Sequence, residues 1–275
     1  MNAFCETIRA LVAAESPGPL LAHCDVFGSR AALAGEHKRT DLLSGHILSL
    51  EYIAQDCTLL LPTFNYDYLR SGHYRPATDA SQVGPLTEHA RLHWATYRVG
   101  PPVFNFVGRA PFPIQQKPEQ VVDPFGSHSI FAELHRARGL VLLYGTTLAA
   151  LTMIHYIERL SGGPLYRYDK YFAGTIDDNH GPRPVTLLYH CRPLGRHLDY
   201  DFPRLVNDAE RAGAVSRVLR SGSEVGVVRC DLLCAFWAER LKADPLYLLD
   251  QASLQWVRPA LNRLGRRFQQ SDFEL

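Results

Sequence analysis

The chain has 275 residues, of which 46% are hydrophobic and 21% are charged, and its formal net charge is +1. These values are typical of a soluble globular protein with a sizeable core, and the near-neutral charge argues against a nucleic-acid-binding protein, which usually shows a basic excess or stripe. The six cysteines lack the spacing of a zinc site, so we interpret them as reduced thiols of a cytoplasmic protein.

Helices and strands are predicted to alternate along the first 160 residues. Apolar residues at helical spacing indicate helices, and short continuous apolar runs indicate buried strands. The predicted elements are helices at 3–14, 42–54, 84–96, 129–137 and 147–162, and strands at 20–27, 58–64, 102–108 and 140–145. A proline-rich loop is expected at 111–124. This alternation predicts a layered α/β core with a mostly buried sheet.

The pattern changes after residue 164, where we expect two or three strands and one helix. The sequence shows no internal repeat and no clear linker. We therefore predict one domain over 1–275, in which 164–275 forms a more divergent lid or β-region.

One stretch, 139–157, contains no Asp, Glu, Lys or Arg. Its length invites interpretation as a membrane-spanning helix. Gly145, Thr146 and Thr147 divide it into a short apolar run and an amphipathic piece, which favours a buried strand followed by a helix.

Polar residues follow three predicted strands, at 23–25 (HCD), 62–68 (PTFNYDY) and 145–147 (GTT). Ligands of α/β proteins gather beyond the carboxyl ends of strands, so these runs are candidates for a site. Roles in turns and helix caps are the favoured explanation of each run when it is taken alone.

His155 and Glu158 stand three residues apart in a predicted helix and therefore project from one face of it. From the residues alone, they are either an acid/base pair at a site or two polar residues on a wet edge. The common nucleophile, phosphate-binding and zinc-protease motifs are missing from the sequence. A metal site is a weaker alternative, since no spacing supports convergence of His23, Asp25, His128, His155 and Glu158.

Six segments occur in an order and spacing that are more specific than any one of them. They are LLAHCDVF, TLLLPTFNYDY, SQVGPLTEHAR, RVGPPVFNFVG, SIFAELHRARGLVLLYG and TMIHYIE. Together they resemble the antibiotic N-acetyltransferase family, whose best-known members are the aminoglycoside 3-N-acetyltransferases. The later runs YRYDKYFAGTI and DPLYLLD are similar to a divergent branch linked to polysaccharide or secondary-metabolite biosynthesis.

The resemblance implies a three-layer α/β/α sandwich with a mixed, largely parallel central sheet. It also implies acetyl-CoA as co-substrate, no metal, and direct transfer of the acyl group to an amine without a covalent acyl-enzyme. The implied partner is a small-molecule amine acceptor, and we expect a monomer or homodimer that binds neither nucleic acid nor membrane.

His155 and Glu158 match the His and Glu of the family's Leu-His-x-x-Glu helix. The match implies that His155 is the catalytic base or a substrate anchor, because histidine titrates near the pH at which an amine must lose its proton. Glu158 then orients the imidazole or binds the substrate's ammonium. His128 is a third catalytic candidate, which either replaces a lost family histidine or merely accompanies a helix cap at Ser127.

The resemblance further implies binding roles at the strand ends. The residues implied for the CoA are His23, Cys24, Asp25, Thr63, Ser81 and Gly84. The residues implied for the acceptor are Tyr66, Asp67, Arg98 and Lys170. Cys24 stands where the family usually has Ser, so the hydroxyl contact is lost, and we interpret Cys24 as a buried thiol rather than an acyl carrier.

The chain departs from the aminoglycoside branch in two runs. Arg98 is kept, but Pro101 and Phe104 stand in place of two histidines and Asn105 replaces a serine. Three further polar residues of that branch are replaced by apolar ones within 148–151. Ordinary aminoglycoside resistance is therefore not expected.

These observations predict an acyl-CoA-dependent N-acyltransferase, with acetyl-CoA as the donor and an amino sugar, sugar nucleotide or small natural product as the acceptor. Two alternatives remain. One is a non-catalytic homologue that binds CoA or sugar, and the other is a metal-dependent amide or sugar hydrolase.

Overall fold

Helices and strands alternate along the chain as predicted. The computed structural model describes residues 3–15, 18–33, 39–112, 121–220 and 222–274, and of residues 39–41 and 220 it describes the backbone alone. In chain order its helices and strands are α1 (Ala3–Ala14), β1 (Pro19–Cys24), α2 (Arg39–Ile53), β2 (Thr58–Pro62), α3 (Tyr68–Ser71), β3 (His73–Tyr74), α4 (Pro85–His93), β4 (Tyr97–Val99), β5 (Phe106–Gly108), β6 (Val121–Val122), α5 (Ile130–Arg136), β7 (Leu140–Tyr144), α6 (Met153–Leu160), β8 (Tyr168–Asp178), β9 (Gly181–Cys191), α7 (Phe202–Arg211), β10 (Val215–Arg220), β11 (Ser223–Arg229), α8 (Cys230–Ala243) and α9 (Gln251–Leu264).

The central sheet of the described structure is mixed, as predicted. Its seven strands have the order β10-β11-β7-β1-β2-β5-β4. Fewer strand pairs are parallel than expected. Strand β1 pairs in parallel with β2 and β7, and every other neighbouring pair in this sheet is antiparallel. The connections between β4 and β5 and between β10 and β11 are short, and short connections allow antiparallel pairing only.

Helices cover both faces of this sheet, which gives the predicted three layers. One hydrophobic cluster packs α1, α2 and α4 against residues such as Leu20 and Ala22 of β1. The other packs α5, α6 and α8 against the opposite face, where Leu21 lies. Side chains alternate between the two clusters along β1 because successive residues of a strand point to opposite faces.

The region after residue 164 differs from the prediction of two or three strands and one helix. Four strands and the helices α7, α8 and α9 lie there. The hairpin β8–β9 forms a second sheet of order β3-β8-β9-β6, whereas β11 pairs with β7 and so extends the central sheet. Of the four described strands after residue 164, β10 and β11 therefore belong to the central sheet, and β8 and β9 lie outside it.

Three local predictions also change. The helix expected at 147–162 is a 3₁₀ turn at Leu148–Ala150 followed by α6, and the strand expected at 102–108 begins at Phe106. In the proline-rich loop, β6 lies at its end and residues 113–120 lie outside the described residues. The uncharged stretch 139–157 spans β7 and part of α6, and none of the described helices is long and apolar enough to cross a membrane.

Candidate active site

Glu158 lies at the centre of a buried polar cluster beside the central sheet. Helix α6 places His155 and Glu158 on one face, and Nδ1 of His155 lies 3.0 Å from Oε2 of Glu158. The Glu158 residue is only 1% exposed, so its carboxylate depends on protein partners rather than water. The pair singled out in the sequence does meet in the structure.

The remaining partners of Glu158 come from the region after residue 164. Nε2 of His190 on β9 lies 3.1 Å from Oε2, and the hydroxyls of Tyr166 and Tyr200 each lie 2.7 Å from Oε1. The guanidinium of Arg167 is the counter-charge, with Nε 3.6 Å from Oε2. Four hydrogen bonds thus occupy the four acceptor positions that a carboxylate offers.

This environment fixes the charge of Glu158. Burial opposes its ionisation, but the charge of Arg167 and the hydrogen bonds from His155 and His190 outweigh burial and hold the pKa well below its usual range. An ionised carboxylate with every acceptor position filled has no capacity left for a substrate ammonium. The geometry therefore favours orientation of His155 over ammonium binding as the role of Glu158.

His155 presents one free nitrogen. Because ionised Glu158 can only accept, Nδ1 of His155 carries the proton and Nε2 carries the lone pair. Nε2 has no hydrogen-bond partner among the described residues, and the side chain is 23% exposed. Burial lowers the pKa of His155 to about 4, helped by the charge of Arg167 and opposed by Glu158. At neutral pH the imidazole is therefore an uncharged proton acceptor.

Aromatic rings form a row beside His155. Phe125 contacts His155 edge-on at 5.2 Å between ring centroids, and Phe104 lies 4.8 Å from Phe125. Phe104 also stacks on Tyr189 at 5.9 Å and meets Tyr66 edge-on at 6.4 Å. Tyr66 is 40% exposed, so this row runs from solvent to the imidazole.

A family model described as aminoglycoside 3-N-acetyltransferase matches residues 46–242, which is well over half of the chain. The chain belongs to this family. The match confirms the predicted family and its enzyme class, an acetyl-CoA-dependent N-acetyltransferase. A comparison with curated proteins finds no match.

Solved structures with the same fold include several acetyltransferases. AAC-IIIb with CoASH is 20% identical, with a TM-score of 0.67 over 87% of this chain and 96% of that one. The apoenzyme of AAC(3)-IVa is 18% identical, with a TM-score of 0.64 over 94% of this chain and 96% of that one. YokD from Bacillus subtilis is 13% identical, with a TM-score of 0.64 over 87% of this chain and 93% of that one. At such identities these structures show the fold.

Two residues predicted to bind the acceptor in this acetyltransferase are already engaged. Arg98 donates to the side chain of Asn105 and to backbone carbonyls, including that of Thr63 at 2.8 Å, so four of its five donors are used. Lys170 pairs with Glu274 near the C-terminus, and no contact joins it to His155 or Glu158 in the described structure. These contacts give Arg98 a bracing role and let Lys170 hold the C-terminal segment, and acceptor binding by either residue stays a prediction.

The other two residues predicted to bind the acceptor, Tyr66 and Asp67, have different surroundings. Tyr66 is half-exposed at the outer end of the aromatic row and stays a candidate. Asp67 accepts from Arg70 at 3.1 Å and from Gln82 at 3.0 Å. These bonds give Asp67 a role in the turn, which was the alternative left open by the sequence.

The third catalytic candidate, His128, is not part of the Glu158 cluster. Among the described residues no hydrogen bond or ring contact joins His128 to His155 or Glu158, and its buried Nδ1 has no partner. The cap of α5 is Ser129, whose hydroxyl accepts from the amide of Ala132 at 3.1 Å, rather than Ser127. Residues before a helix offer several candidate caps, and the backbone decides between them.

The residues predicted for CoA lie at the carboxyl ends of β1 and β2 and before α4. Three of them are held by internal bonds: Asp25 accepts from the amide of Phe27 at 2.9 Å, Thr63 donates to the Asn105 side chain at 2.7 Å, and Ser81 pairs with the Thr87 hydroxyl at 2.8 Å. Gly84 precedes α4 with φ 120° and has open space where a Cβ would stand.

His23 and Cys24 differ from these three. His23 is buried, and its Nε2 has no hydrogen-bond partner among the described residues, which fits a group that awaits a ligand. Burial lowers the pKa of His23 to about 4, so the ring is neutral. Burial raises the pKa of the Cys24 thiol above its usual range, which disfavours the thiolate that an acyl carrier needs.

Four partners of Glu158 escaped the sequence analysis. They are Tyr166, Arg167, His190 and Tyr200. Tyr166 and Arg167 lie in the run YRYDKYFAGTI, and its content of Tyr and Arg does not indicate which residue binds Glu158. His190 and Tyr200 lie 32 and 42 residues after Glu158. His190 reaches Glu158 because β9 returns the chain to α6.

The cluster also contains a set of atoms that resembles a metal site. His155, Glu158 and His190 each offer one ligand atom, and these atoms lie within 4.8 Å of one another. His23, Asp25 and His128, named with them in the sequence analysis, are not in this set. A bound cation would displace two hydrogen bonds to Oε2 and would meet the charge of Arg167. The arrangement therefore favours a hydrogen-bonded network.

Proposed function

We propose that this chain transfers the acetyl group of acetyl-CoA directly to a primary amine of an amino sugar, a sugar nucleotide or a small natural product. The observation that carries the proposal is the unpaired Nε2 of His155, whose ring is fixed by ionised Glu158. In this arrangement His155 is the general base, Glu158 orients it, and Arg167 keeps the carboxylate charged.

The chemistry needs one proton acceptor beside the acceptor amine. Acetyl-CoA supplies the activated acetyl group as a thioester. The nitrogen lone pair forms the new C–N bond, the C–S bond breaks, and the proton lost from nitrogen passes to Nε2 of His155 and then to the departing sulfur. The low pKa of His155 keeps Nε2 unprotonated before the reaction and makes the imidazolium a ready acid afterwards.

The surroundings of His155 support a small acceptor with a ring. The ring of Tyr66, which is 40% exposed, suits the apolar face of a sugar, whereas Phe125 is buried behind it. The carboxylates of the cluster, Glu158 and Asp169, are paired with arginines, so they offer no free anion to a polycation. This supports an acceptor with fewer charges than apramycin, which is bound in a structure of AAC(3)-IVa that is 19% identical to this chain with a TM-score of 0.64.

We propose that the donor binds at the carboxyl ends of β1 and β2. His23 has a buried nitrogen without a partner, and Gly84 leaves open space before α4. We therefore place the CoA beside His23 and Gly84. Asp25, Thr63 and Ser81 shape these turns through their internal bonds, and Cys24 takes no part in covalent chemistry.

The test is acetyl transfer to a panel of amino sugars, sugar nucleotides and small amines, followed by release of the CoA thiol. His155→Ala is expected to lower kcat by at least two orders of magnitude, as general acid–base catalysis contributes roughly 10²–10⁴-fold. His135→Ala is the matched control, because this half-buried histidine bonds Tyr156 at 3.0 Å and lies outside the cluster. His128→Ala is likewise expected to keep its activity.

Other results would support the two alternatives. Binding of acetyl-CoA, seen as a higher Tm, without thiol release from any acceptor would indicate a CoA-binding homologue that lacks the chemistry. Stoichiometric zinc in purified protein, lost on substitution of His155, would indicate a metal enzyme and would contradict direct transfer. Wild-type rates in His155→Ala would remove the proposed base.

A further inference from the structure

His190 lies between two carboxylates and belongs to no motif of the sequence. Its side chain is 1% exposed, Nε2 lies 3.1 Å from Oε2 of Glu158, and Nδ1 lies 3.7 Å from Oδ1 of Asp169. We propose that His190 is a positioning residue, which donates to the same oxygen of Glu158 as His155 and thereby keeps the catalytic imidazole in its Nδ1–H form. This inference rests on the proposed function of His155 as base.

The proton positions follow from the carboxylate. Ionised Glu158 has no proton to give, so both imidazoles that contact Oε2 must approach it with an N–H. His155 uses Nδ1 and His190 uses Nε2. The two donors meet at one oxygen with their ring centroids 5.7 Å apart and their planes at 66°. Loss of the His190 donor leaves Oε2 with the hydrogen bond from His155 alone, so Oε2 can shift away from His155 while Tyr166 and Tyr200 still hold Oε1.

Asp169 lies at the other end of the His190 ring, beyond hydrogen-bond distance of Nδ1, which has no hydrogen-bond partner among the described residues. Arg159 holds Asp169 through two hydrogen bonds of 2.7 and 3.0 Å, and Arg267 lies 3.4 Å from it. A charged side chain with several arginine contacts has little freedom. The imidazole of His190 is therefore confined between a carboxylate fixed by arginines and the carboxylate that orients the base.

The same network extends to Phe125 in the aromatic row. Nε of Arg159 lies 3.4 Å from Asp123, whose carboxylate accepts from the amide of Phe125 at 2.9 Å. The Phe125 ring contacts His155 at 5.2 Å and His190 at 6.4 Å. One set of contacts thus positions Glu158, His190 and the ring that packs against the base.

Charged and titratable groups on four segments face His155. They are Glu158 on α6, Arg167 before β8, His190 on β9 and Tyr200 after β9. Both Arg167 and His190 lower the pKa of His155, whereas Glu158 raises it. Removal of His190 is expected to raise the pKa of His155, and a residue that only fills space would not have this effect.

The experiment compares His190→Phe, which removes the donor and keeps the volume, with His190→Gln, whose amide can still donate to Glu158. We expect His190→Phe to lower kcat roughly 10- to 100-fold, the usual effect of losing a group that orients another, with KM for acetyl-CoA unchanged. His190→Gln is expected to recover part of this loss. The pKa of His155, followed by the NMR shifts of its ring, is expected to rise in His190→Phe.

His46 provides the matched control. It is a fully buried histidine whose Nδ1 lies 2.9 Å from the Tyr144 hydroxyl, and none of the contacts described above joins it to this network. His46→Phe is expected to lower stability without changing the pKa of His155. If His190→Phe behaves in the same way, and His190→Gln is no more active than His190→Phe, the positioning role is wrong.

The tautomers of His155 and His190 in the wild-type protein give a test that does not depend on the folding of a variant. Long-range ¹H–¹⁵N spectra are expected to show His190 protonated at Nε2 and His155 protonated at Nδ1. A His190 ring without a proton on Nε2 would overturn the proposal. These spectra do not depend on turnover, so failure to acetylate any amine would refute the proposed function and leave this coupling measurable.

Discussion

Two buried histidine–tyrosine clusters lie on opposite faces of the central sheet, and they differ in charge and access. On one face, Glu158 gathers His155, His190 and two tyrosines around an anion. On the other, Nδ1 of His46 meets the Tyr144 hydroxyl at 2.9 Å, and His46 is completely buried. The residue types are shared, but only the first cluster combines a carboxylate with a histidine that is partly open to a ligand. Burial of polar groups alone therefore does not identify a site.

The largest expected effect in this comparison follows Glu158→Gln. The substitution leaves Arg167 buried and without its anion, which is expected to lower the free energy of unfolding by about 3–5 kcal/mol and to abolish acetyl transfer. Chemical denaturation measures the first effect and thiol release the second. Glu133→Gln is the control, because Glu133 pairs with a half-exposed arginine at 2.6 Å and such a pair contributes about 0–1 kcal/mol. Equal losses in the two variants would show that Arg167 does not depend on Glu158.

His46→Phe is expected to have the opposite profile. The Tyr144 hydroxyl loses its histidine partner in a buried place, so the free energy of unfolding is expected to fall by about 1–3 kcal/mol. Acetyl transfer at a temperature where the variant is folded is expected to match the wild type. A selective loss of turnover in this variant would mean that the two clusters are coupled through the sheet.

Stability is expected to fall as the pH is lowered from 6.5 to 4. Burial lowers the pKa of His23, His46 and His155 from 6.5 to about 4, with Arg167 contributing at His155. Between these values the unfolded chain binds protons that the folded chain does not, so acid favours unfolding. A thermal scan is expected to give a lower Tm at pH 5 than at pH 7. The difference is expected to shrink in His46→Gln, and an unchanged difference would contradict the assignment to His46.

The smallest effect is expected at the end of β1. Cys24→Ser is expected to leave kcat unchanged, because burial raises the pKa of this thiol and no covalent acyl-enzyme is proposed. Alkylation of Cys24 at neutral pH, followed by mass spectrometry, is expected to be slow in the folded protein and fast after denaturation. Rapid alkylation of the native protein, or loss of transfer in Cys24→Ser, would restore the acyl-carrier interpretation.

The acid side of the pH–activity profile distinguishes titration of His155 from titration of the acceptor amine. Because burial lowers the pKa of His155 to about 4, its imidazole is unprotonated at every pH above 5. Any loss of activity toward acid that occurs above pH 5 is therefore expected to follow protonation of the acceptor amine. Two acceptors whose amines differ in pKa are therefore expected to give limbs that differ by the same amount. An identical limb for both acceptors would assign it to the enzyme.

Local patterns predicted much of the fold. Continuous apolar runs place β1, β2 and β7 correctly, because these strands are buried on both faces. Helical spacing likewise predicts α1 at its observed ends. The sequence predicts β8 and β9 only in part, since most of their residues are half-buried or exposed and neither strand is a continuous buried run.

For the site, the sequence by itself determined the pair His155 and Glu158, because a spacing of three residues on a helix fixes a shared face before any tertiary contact forms. Only the tertiary structure decided what that pair does. It brings Arg167, His190 and Tyr200 to Glu158 from other segments, which ionises the carboxylate and fills its acceptor positions. It also gives Arg98 and Lys170 internal partners. Hydrogen bonds between residues distant in the chain depend on how strands return to one another, and no local pattern of residues encodes that return.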